Sequence, residues 1–353
     1  MTKKVISFLN KIKPKDVIIT IFHNDADGIC SCVLMNKFLK QKIGRGADFL
    51  ISQPMPPDKN LLQKIRLSLP TKVIFLDLAI DQNKSLIKKI ETDCEILVID
   101  HHQISNNLNS KKTVHYNPLF KNSVYQSASY LTYKICSEIC NMEKYLWVSL
   151  VGIIGDYNIA DSMDLINEAK KKYPRLIKKC DQETVHNSLF GQIADMISAA
   201  KACRISCEEI VKIISNIKFP DDVWTNQTLT ESYRKIQKEM ERLMIDAKSN
   251  IDTNKNIIFY EIKSPYNLRS PLATRLSKEY QKKLIIIWSK IKNRIKLSAR
   301  NQNKNIDVGK VLRNAIKGIK YASAGGHATA AGLDIRKGDW EVVKERLERE
   351  VNK

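Results

Sequence analysis

The longest apolar run in the 353-residue sequence is YLWVSLVGII, Tyr145 to Ile154. A membrane-spanning helix needs about 20 such residues, so none is expected here. The eight cysteines include no C-x-x-C pair. Cys136 and Cys140, like Cys203 and Cys207, stand four apart in stretches with helical spacing. Such pairs share a helix face and read as small core residues rather than zinc ligands. There is no internal repeat and no low-complexity tract. The basic opening, MTKKVISFLNKIKPKD, lacks the long apolar segment of a secretory signal. Together these absences lead to the expectation of a cytoplasmic protein.

Negative charge is also scarce. Lysine and arginine number 59 against 38 aspartate and glutamate, a formal net charge of +21. A strongly cationic protein attracts polyanions, nucleic acid foremost. Lysine-rich helix faces that are merely solvated would give the same total, so charge alone does not decide. With 43% hydrophobic and 27% charged residues, the composition is that of a soluble globular protein. The length suits two domains.

The first half of the chain alternates strand and helix patterns. VIITIF (Val17 to Phe22), KVIFLDL (Lys72 to Leu78) and EILVID (Glu95 to Asp100) are short and β-branched. Between them, ICSCVLMNKFLK and DQNKSLIKKIE have helical spacing. This alternation predicts an α/β fold, with a mostly parallel sheet flanked by helices. From about residue 123 to 250 strand signals nearly vanish, and LTESYRKIQKEMERLMIDAKSN reads as a long amphipathic connector. Mixed patterns return after Lys255: NIIFYEI, a helix through SPLATRLSKEY, strands KKLIIIWSK and RIKLSAR, and a helix from about Asp307. The expected domains are 1–200 (helical from about 123), a helical connector over 201–254, and a smaller α/β domain over 255–353.

Each expected strand of the first domain ends in acid or histidine. The first runs into His23, Asp25 and Asp27, the second into Asp77, the third into Asp100, His101 and His102. A parallel sheet places all its strand C-termini on one edge, where α/β sites form. Asp156, in GIIGDYN, follows an apolar helix whose Gly152 and Gly155 permit close packing. Singly, Asp25 reads as a helix N-cap and Asp77 as the start of a loop. Gathered together without cations, four carboxylates would repel and take up protons. Two divalent cations would balance Asp25, Asp27, Asp77 and Asp156 charge for charge. Carboxylates with imidazoles and no thiolate suit Mn²⁺, with Mg²⁺, Co²⁺ and Zn²⁺ also open. Two such ions about 4 Å apart lower the pKa of a water and stabilise both oxygens of a displacement at phosphorus. That chemistry is phosphoester hydrolysis.

HNDADG, FLDLA, IDHHQ and GIIGDY, in this order, resemble the four motifs of the DHH phosphoesterase superfamily. SAGGHATAAGLDI, Ser323 to Ile335, resembles the GGH motif of the DHH-associated C-terminal domain. The DADG form is more similar to the RecJ-like exonuclease and oligoribonuclease (nanoRNase) branch than to the pyrophosphatase branch. The resemblance implies Asp25, Asp27, Asp77, His101 and Asp156 as metal ligands, with Asp77 bridging two ions and Asp156 on the second. It implies that His102 faces the phosphate and that Asp100 orients an imidazole. The first-motif histidine departs from the pattern: His23 stands two residues before Asp25, where several relatives have it four before. His23 is thus either a ligand or a neighbour of ligands. In the second domain the resemblance implies substrate contacts from Gly325, Gly326 and His327, and from Arg300 in KLSARN, with Asn301 where serine is common. Adjacent glycines also let backbone N–H groups approach an anion closely. Arg269, Arg275, Arg294 and Lys296 read as backbone contacts or, more simply, as solvated surface charge.

The resemblance implies a Mn-dependent phosphodiesterase that hydrolyses single-stranded RNA, DNA or short oligonucleotides from an end. The first domain would cleave and the second would hold the terminus. Replication or repair proteins are further partners, and a homodimer stays open. Hydrolysis of cyclic dinucleotides or of a nucleotide bisphosphate (pAp) is the alternative activity. A replication scaffold with little activity is the non-catalytic alternative.

Overall fold

The computed structural model describes residues 2–121, 124–303, 306–326 and 328–351. The chain forms two compact units, Met1–Tyr233 and Arg234–Lys353.

The first unit opens with α1 (Thr2–Asn10), β1 (Ile18–His23), α2 (Ala26–Ile43), β2 (Phe49–Gln53) and α3 (Leu61–Leu67). It continues through β3 (Lys72–Leu76), α4 (Lys84–Glu91), β4 (Glu95–Ile99) and β5 (Thr113–Tyr116). The five strands form one sheet in the order β2-β1-β3-β4-β5, and every neighbouring pair is parallel. Alternate residues face opposite sides of a strand, and both sides are buried. Ile18, Phe22, Ile74, Leu76, Leu97 and Ile99 pack in one core with α1 and α2. Ile19, Ile21, Val73, Phe75, Ile96 and Val98 pack in another with α3 and α4. Double coverage explains why these strands read as continuous apolar runs.

The helical part that follows comprises α5 (Ala128–Ser137), α6 (Leu146–Gly155), α7 (Met163–Lys172), α8 (Gln182–His186), α9 (Leu189–Ala202) and α10 (Cys207–Asn216). α6 is the apolar run Tyr145–Ile154 of the sequence, and all its residues from Leu146 to Ile154 are buried. It is therefore a core helix of the first unit, and no described helix is long and apolar enough to cross a membrane. α11 (Gln227–Asn250) contains the division between the units. All eight cysteines are free, with Cys136 and Cys207 buried and their partners at spacing four partly exposed.

The second unit carries β6 (Ile257–Glu261), α12 (Arg269–Glu279), β7 (Leu284–Ile291), β8 (Arg294–Arg300), α13 (Val308–Ala315), β9 (Ser323–Gly326), β10 (Ala330–Arg336) and α14 (Trp340–Val351). Its sheet order is β6-β7-β8-β10-β9, parallel only between β6 and β7. The expected fold class is thus present: a parallel sheet flanked by helices, then a smaller mixed α/β domain.

Strands β2, β5, β9 and β10 go beyond the sequence reading. β2 and β5 are the two edges of the first sheet and β9 is an edge of the second. An edge strand buries less of itself, so its sequence carries a weaker apolar pattern. The exposed side of β2 is closed in part by α10, where Glu208 Oε1 accepts the Ser52 N–H at 2.6 Å.

Candidate metal centre

The strand order reverses direction between β1 and β3. Such a reversal leaves a crevice at the C-terminal edge of the sheet, because the chain leaves adjacent strands in opposite directions. His23, Asp25 and Asp27 follow β1 at this crevice, Asp77 follows β3, and Asp100, His101 and His102 follow β4.

Asp25 is the N-cap of α2, accepting the Gly28 N–H at 3.0 Å through Oδ1. Its other oxygen, Oδ2, stands 2.6 Å from His23 Nδ1. The capping reading and the site reading therefore hold for the same residue. Two residues on, Asp27 is held by the start of α5. Its Oδ2 accepts the Ala128 N–H at 2.7 Å, and its Oδ1 the Ser129 N–H at 2.9 Å. A carboxylate at a helix N-terminus meets free donors and the positive end of the helix dipole.

Asp77 sits in the left-handed region at φ 60, which aspartate tolerates better than most residues. That backbone turn directs the carboxylate back over the strand ends. Its Oδ1 is 3.0 Å from His101 Nε2 and its Oδ2 is 3.5 Å from His23 Nδ1. Asp156 is the C-cap of α6, and its Oδ2 lies 3.7 Å from His101 Nδ1. Asp100 is buried and turned to His102, with Oδ1 2.7 Å from Nδ1. This contact orients the half-buried His102 ring.

Two three-residue groups with donor atoms close enough to share one ion result: His23, Asp25 and Asp77, and Asp27, His101 and Asp156. Asp77 and His101, in contact, join the groups. His23 thus stands among the candidate ligands despite its shifted place in the motif, because β1 extends through it and pairs it with Gln53. No cysteine is in any such group among the described residues.

The chemistry of these donors fits cations. Four buried polar atoms here, His23 Nδ1, Asp77 Oδ2, His101 Nδ1 and Asp156 Oδ2, have no partner in hydrogen-bonding geometry. Buried polar atoms ordinarily make well-formed hydrogen bonds, and a cluster of them that face one another without such bonds is a donor set suited to a cation. Electrostatics agrees. Burial, and then the Asp25 and Asp27 charges, push the Asp77 carboxyl well above its ordinary range. Burial with the Asp27 and Asp77 charges raises Asp156 to about 8. Burial opposes a charged His23, but Asp25 and Asp77 outweigh it and hold that imidazole at about 10. Burial likewise opposes a charged His102, and Asp100 raises it all the same. A cation would replace the protons on Asp77 and Asp156.

Close packing of α6 makes this convergence possible. A Cβ on Gly152 would stand 2.3 Å from Ser129 Oγ and 2.9 Å from Asp27 Oδ1. Gly155 similarly passes Ala26. Gly152→Ala is expected to shift Asp27 out of its cradle and destabilise the fold by about 1–3 kcal/mol, the usual cost of overpacking. Denaturant unfolding with a parallel metal titration checks both effects, and an unchanged metal affinity would refute the link to Asp27.

Several positioning residues escaped the sequence reading. Asp81 is buried, and its Oδ2 accepts the N–H groups of Ser105 (2.5 Å) and Asn106 (2.8 Å), tying down the loop after His102. Asn117 Nδ2 donates to the His102 carbonyl at 2.8 Å. The Tyr125 ring lies against His101, centroids 4.5 Å apart. The available signal was weak: QSAS over residues 126–129 is an N-cap pattern, with Ser127 Oγ accepting from Tyr130 N–H.

In the second unit, Arg300 is held to α12: Nη2 donates to Ser270 Oγ at 2.6 Å and Nε to Thr274 Oγ1 at 3.3 Å. Asn301 is buried, its N–H donating to the Thr329 carbonyl. Gly325 and Gly326 belong to the exposed edge strand β9, opposite Gly332 and Ala331 of β10. Gly326 has φ 137, and a Cβ there would come within 2.4 Å of the Ala330 carbonyl oxygen. His327 lies outside the described residues. The other basic candidates are engaged within the unit: Arg269 with Ser289, Arg275 with Gln237, and both Arg294 and Lys296 with Asp334.

Residues 17–153 match the DHH family, N-terminal domain, and residues 254–353 match the DHHA1 domain. No curated protein matches the chain by sequence. Among solved structures, RecJ in complex with Mn²⁺ from Thermus thermophilus superposes with TM-score 0.74 at 15% identity, over 99% of this chain and 54% of that one. An exonuclease RecJ bound to manganese gives 0.70 at 17%, over 100% and 94%. The pGpG-specific phosphodiesterase PggH from Vibrio gives 0.54 at 12%, over 95% and 98%. At these identities the likeness is one of fold, and this chain spans about half the length of the Thermus thermophilus protein. The first match contains the first three motifs and ends within the fourth, and the second contains the glycine pair of β9: the chain carries a DHH family N-terminal domain followed by a DHHA1 domain.

Proposed function

We propose that this chain is a metal-dependent phosphodiesterase that hydrolyses single-stranded nucleic acid or short oligonucleotides from an end. The observation that carries the reading is the pair of joined three-residue donor groups, four of whose buried atoms lack a well-formed hydrogen bond. His23, Asp25 and Asp77 would hold one divalent ion and Asp27, His101 and Asp156 the other, with Asp77 shared. Mn²⁺ is the preferred ion on its tolerance for mixed carboxylate and imidazole donors. Such ions supply an activated water and neutralise charge on the phosphoryl oxygens.

The chain's own residues do the rest. Asp100 holds His102 by Nδ1, so the ring's Nε2 is left to act, and the raised His102 pKa favours the protonated ring. His102 can therefore donate a hydrogen bond to a phosphoryl oxygen or a proton to the leaving alkoxide. The Asp27 cradle and the Asp81 loop hold the ligands in place. Arg300, Gly325, Gly326 and His327 are the proposed contacts to the nucleotide terminus. The +21 charge favours a polyanionic substrate over a compact nucleotide. The complete donor set weighs against a scaffold without activity.

The test is Mn²⁺-dependent product release from 5′-labelled RNA and DNA of two to about 30 nucleotides, beside cyclic and linear dinucleotides. Stepwise shortening of single strands is expected. Cleavage of the cyclic dinucleotide alone would replace this reading with the signalling one, and no hydrolysis at all would refute it.

A further inference from the structure

The turn that ends α6 carries a tyrosine at a backbone position that ordinarily favours glycine. Tyr157 N–H donates to the Ile154 carbonyl at 3.0 Å, and Asn158 N–H to the Ile153 carbonyl at 2.9 Å. This double closure places Asp156 at the C-cap and Tyr157 at the next position, with φ 56. Helices usually take glycine there, because a Cβ is disfavoured in the left-handed region. A tyrosine is a local misfit, and burial of its ring does not repay it: Tyr157 is 64% exposed.

The ring is nonetheless placed. It lies against the His186 ring at the end of α8, centroids 4.9 Å apart and planes tilted by 42°. The turn beneath is fixed by buried Asn158, whose Oδ1 accepts from the Ser127 N–H at 3.1 Å and Ser162 Oγ at 2.9 Å. Tyr157 directly follows Asp156 of the candidate metal centre, their Cα atoms about 3.8 Å apart.

We propose that Tyr157, backed by His186, is a stacking platform for the nucleobase adjoining the phosphodiester at the metal centre. The proposal rests on the phosphodiesterase reading of that centre. A base offers a π-face whatever its identity, so the platform gives affinity for nucleotides with little preference among bases. It favours an unpaired strand, since a base within a duplex is already stacked on its neighbours.

Tyr157→Gly is the telling variant, because glycine suits the left-handed position and the fold is retained or stabilised. Binding of a single-stranded pentanucleotide is measured by calorimetry with Ca²⁺ as the added ion, beside an abasic strand of the same length. Tyr157→Gly is expected to weaken the pentanucleotide about 5- to 150-fold, the range for loss of one stacked base, and to leave the abasic strand unchanged. Tyr157→Trp is expected to keep wild-type affinity. Equal binding by the glycine variant and wild type overturns the platform. Equal loss on both strands also overturns it, since that marks a structural role. A wild-type protein that binds the two strands alike overturns it too. Hydrolysis of the unmodified pentanucleotide by wild type with Mn²⁺ is scored separately, and its absence counts against the phosphodiesterase reading, while the binding comparison still decides the platform.

Discussion

Asp77→Asn is expected to abolish phosphodiester hydrolysis, by on the order of a thousandfold or more, while making the metal-free protein more stable. Asparagine tolerates the left-handed backbone that Asp77 occupies at φ 60, so the substitution changes charge rather than chain path. Asp77 is 1% exposed, and its carboxyl is pushed well above the ordinary range by burial and by Asp25 and Asp27. With no cation present that carboxyl must take up a proton to stay buried, and asparagine removes this cost. With a cation present, the same change removes the donor common to both groups, next to His101 at 3.0 Å and His23 at 3.5 Å. Loss of metal-based stabilisation worth about 4 kcal/mol would account for the thousandfold drop, at about 1.4 kcal/mol per decade. Turnover of a labelled oligonucleotide and thermal unfolding with and without Mn²⁺ check the two halves together. Wild-type turnover by Asp77→Asn would sink the bridging assignment. A lower metal-free melting temperature would instead sink the claim that burying this carboxyl costs stability.

The second large effect is in pH. Asp156 is raised from 3.8 to about 8, which means the folded protein holds that proton more tightly than the unfolded chain does. Stability contributed this way falls as pH rises from about 4 towards 8. His23 is raised from 6.5 to about 10, so its contribution is complete below 6.5 and is lost as pH climbs through 10. Both signs agree, and the metal-free protein is expected to melt at progressively lower temperature from pH 6 to 8.5. Metal acts oppositely. Each proton the ion displaces makes its apparent affinity rise about tenfold per pH unit. The stabilisation by Mn²⁺ should therefore grow over the same range. Differential scanning fluorimetry at stepped pH, with chelator or with Mn²⁺, measures both. A metal-free melting temperature that is flat or rising from pH 6 to 8.5 would show that these groups are not coupled as the geometry requires.

Much of the centre was legible in the chain because its signals are local. A β-branched run ending in Asp or His is visible over six residues, and a parallel sheet must gather such ends at one edge. Asp25, Asp27, Asp77, His101 and Asp156 could be listed from motif order, and Asp100 could be assigned to an imidazole. Relations between distant segments were not legible in this way. β2 and β5 carry weak apolar patterns, yet they complete the order β2-β1-β3-β4-β5 that puts the crevice between β1 and β3. The two backbone N–H groups that hold Asp27 come from residues about a hundred positions away, and Gly152 must pass Ser129 for them to reach it. His23 was open between ligand and neighbour, and the structure puts it beside Asp25 and Asp77. Nothing in the sequence singles out Tyr157, and only the turn it shares with Asn158 gives its backbone the left-handed conformation, with its ring against His186. Residue type and period act over a few positions, so the amino-acid order already names the candidate side chains. Which of them meet depends on hydrogen bonds and close packing between distant segments, and those exist only once the chain has folded.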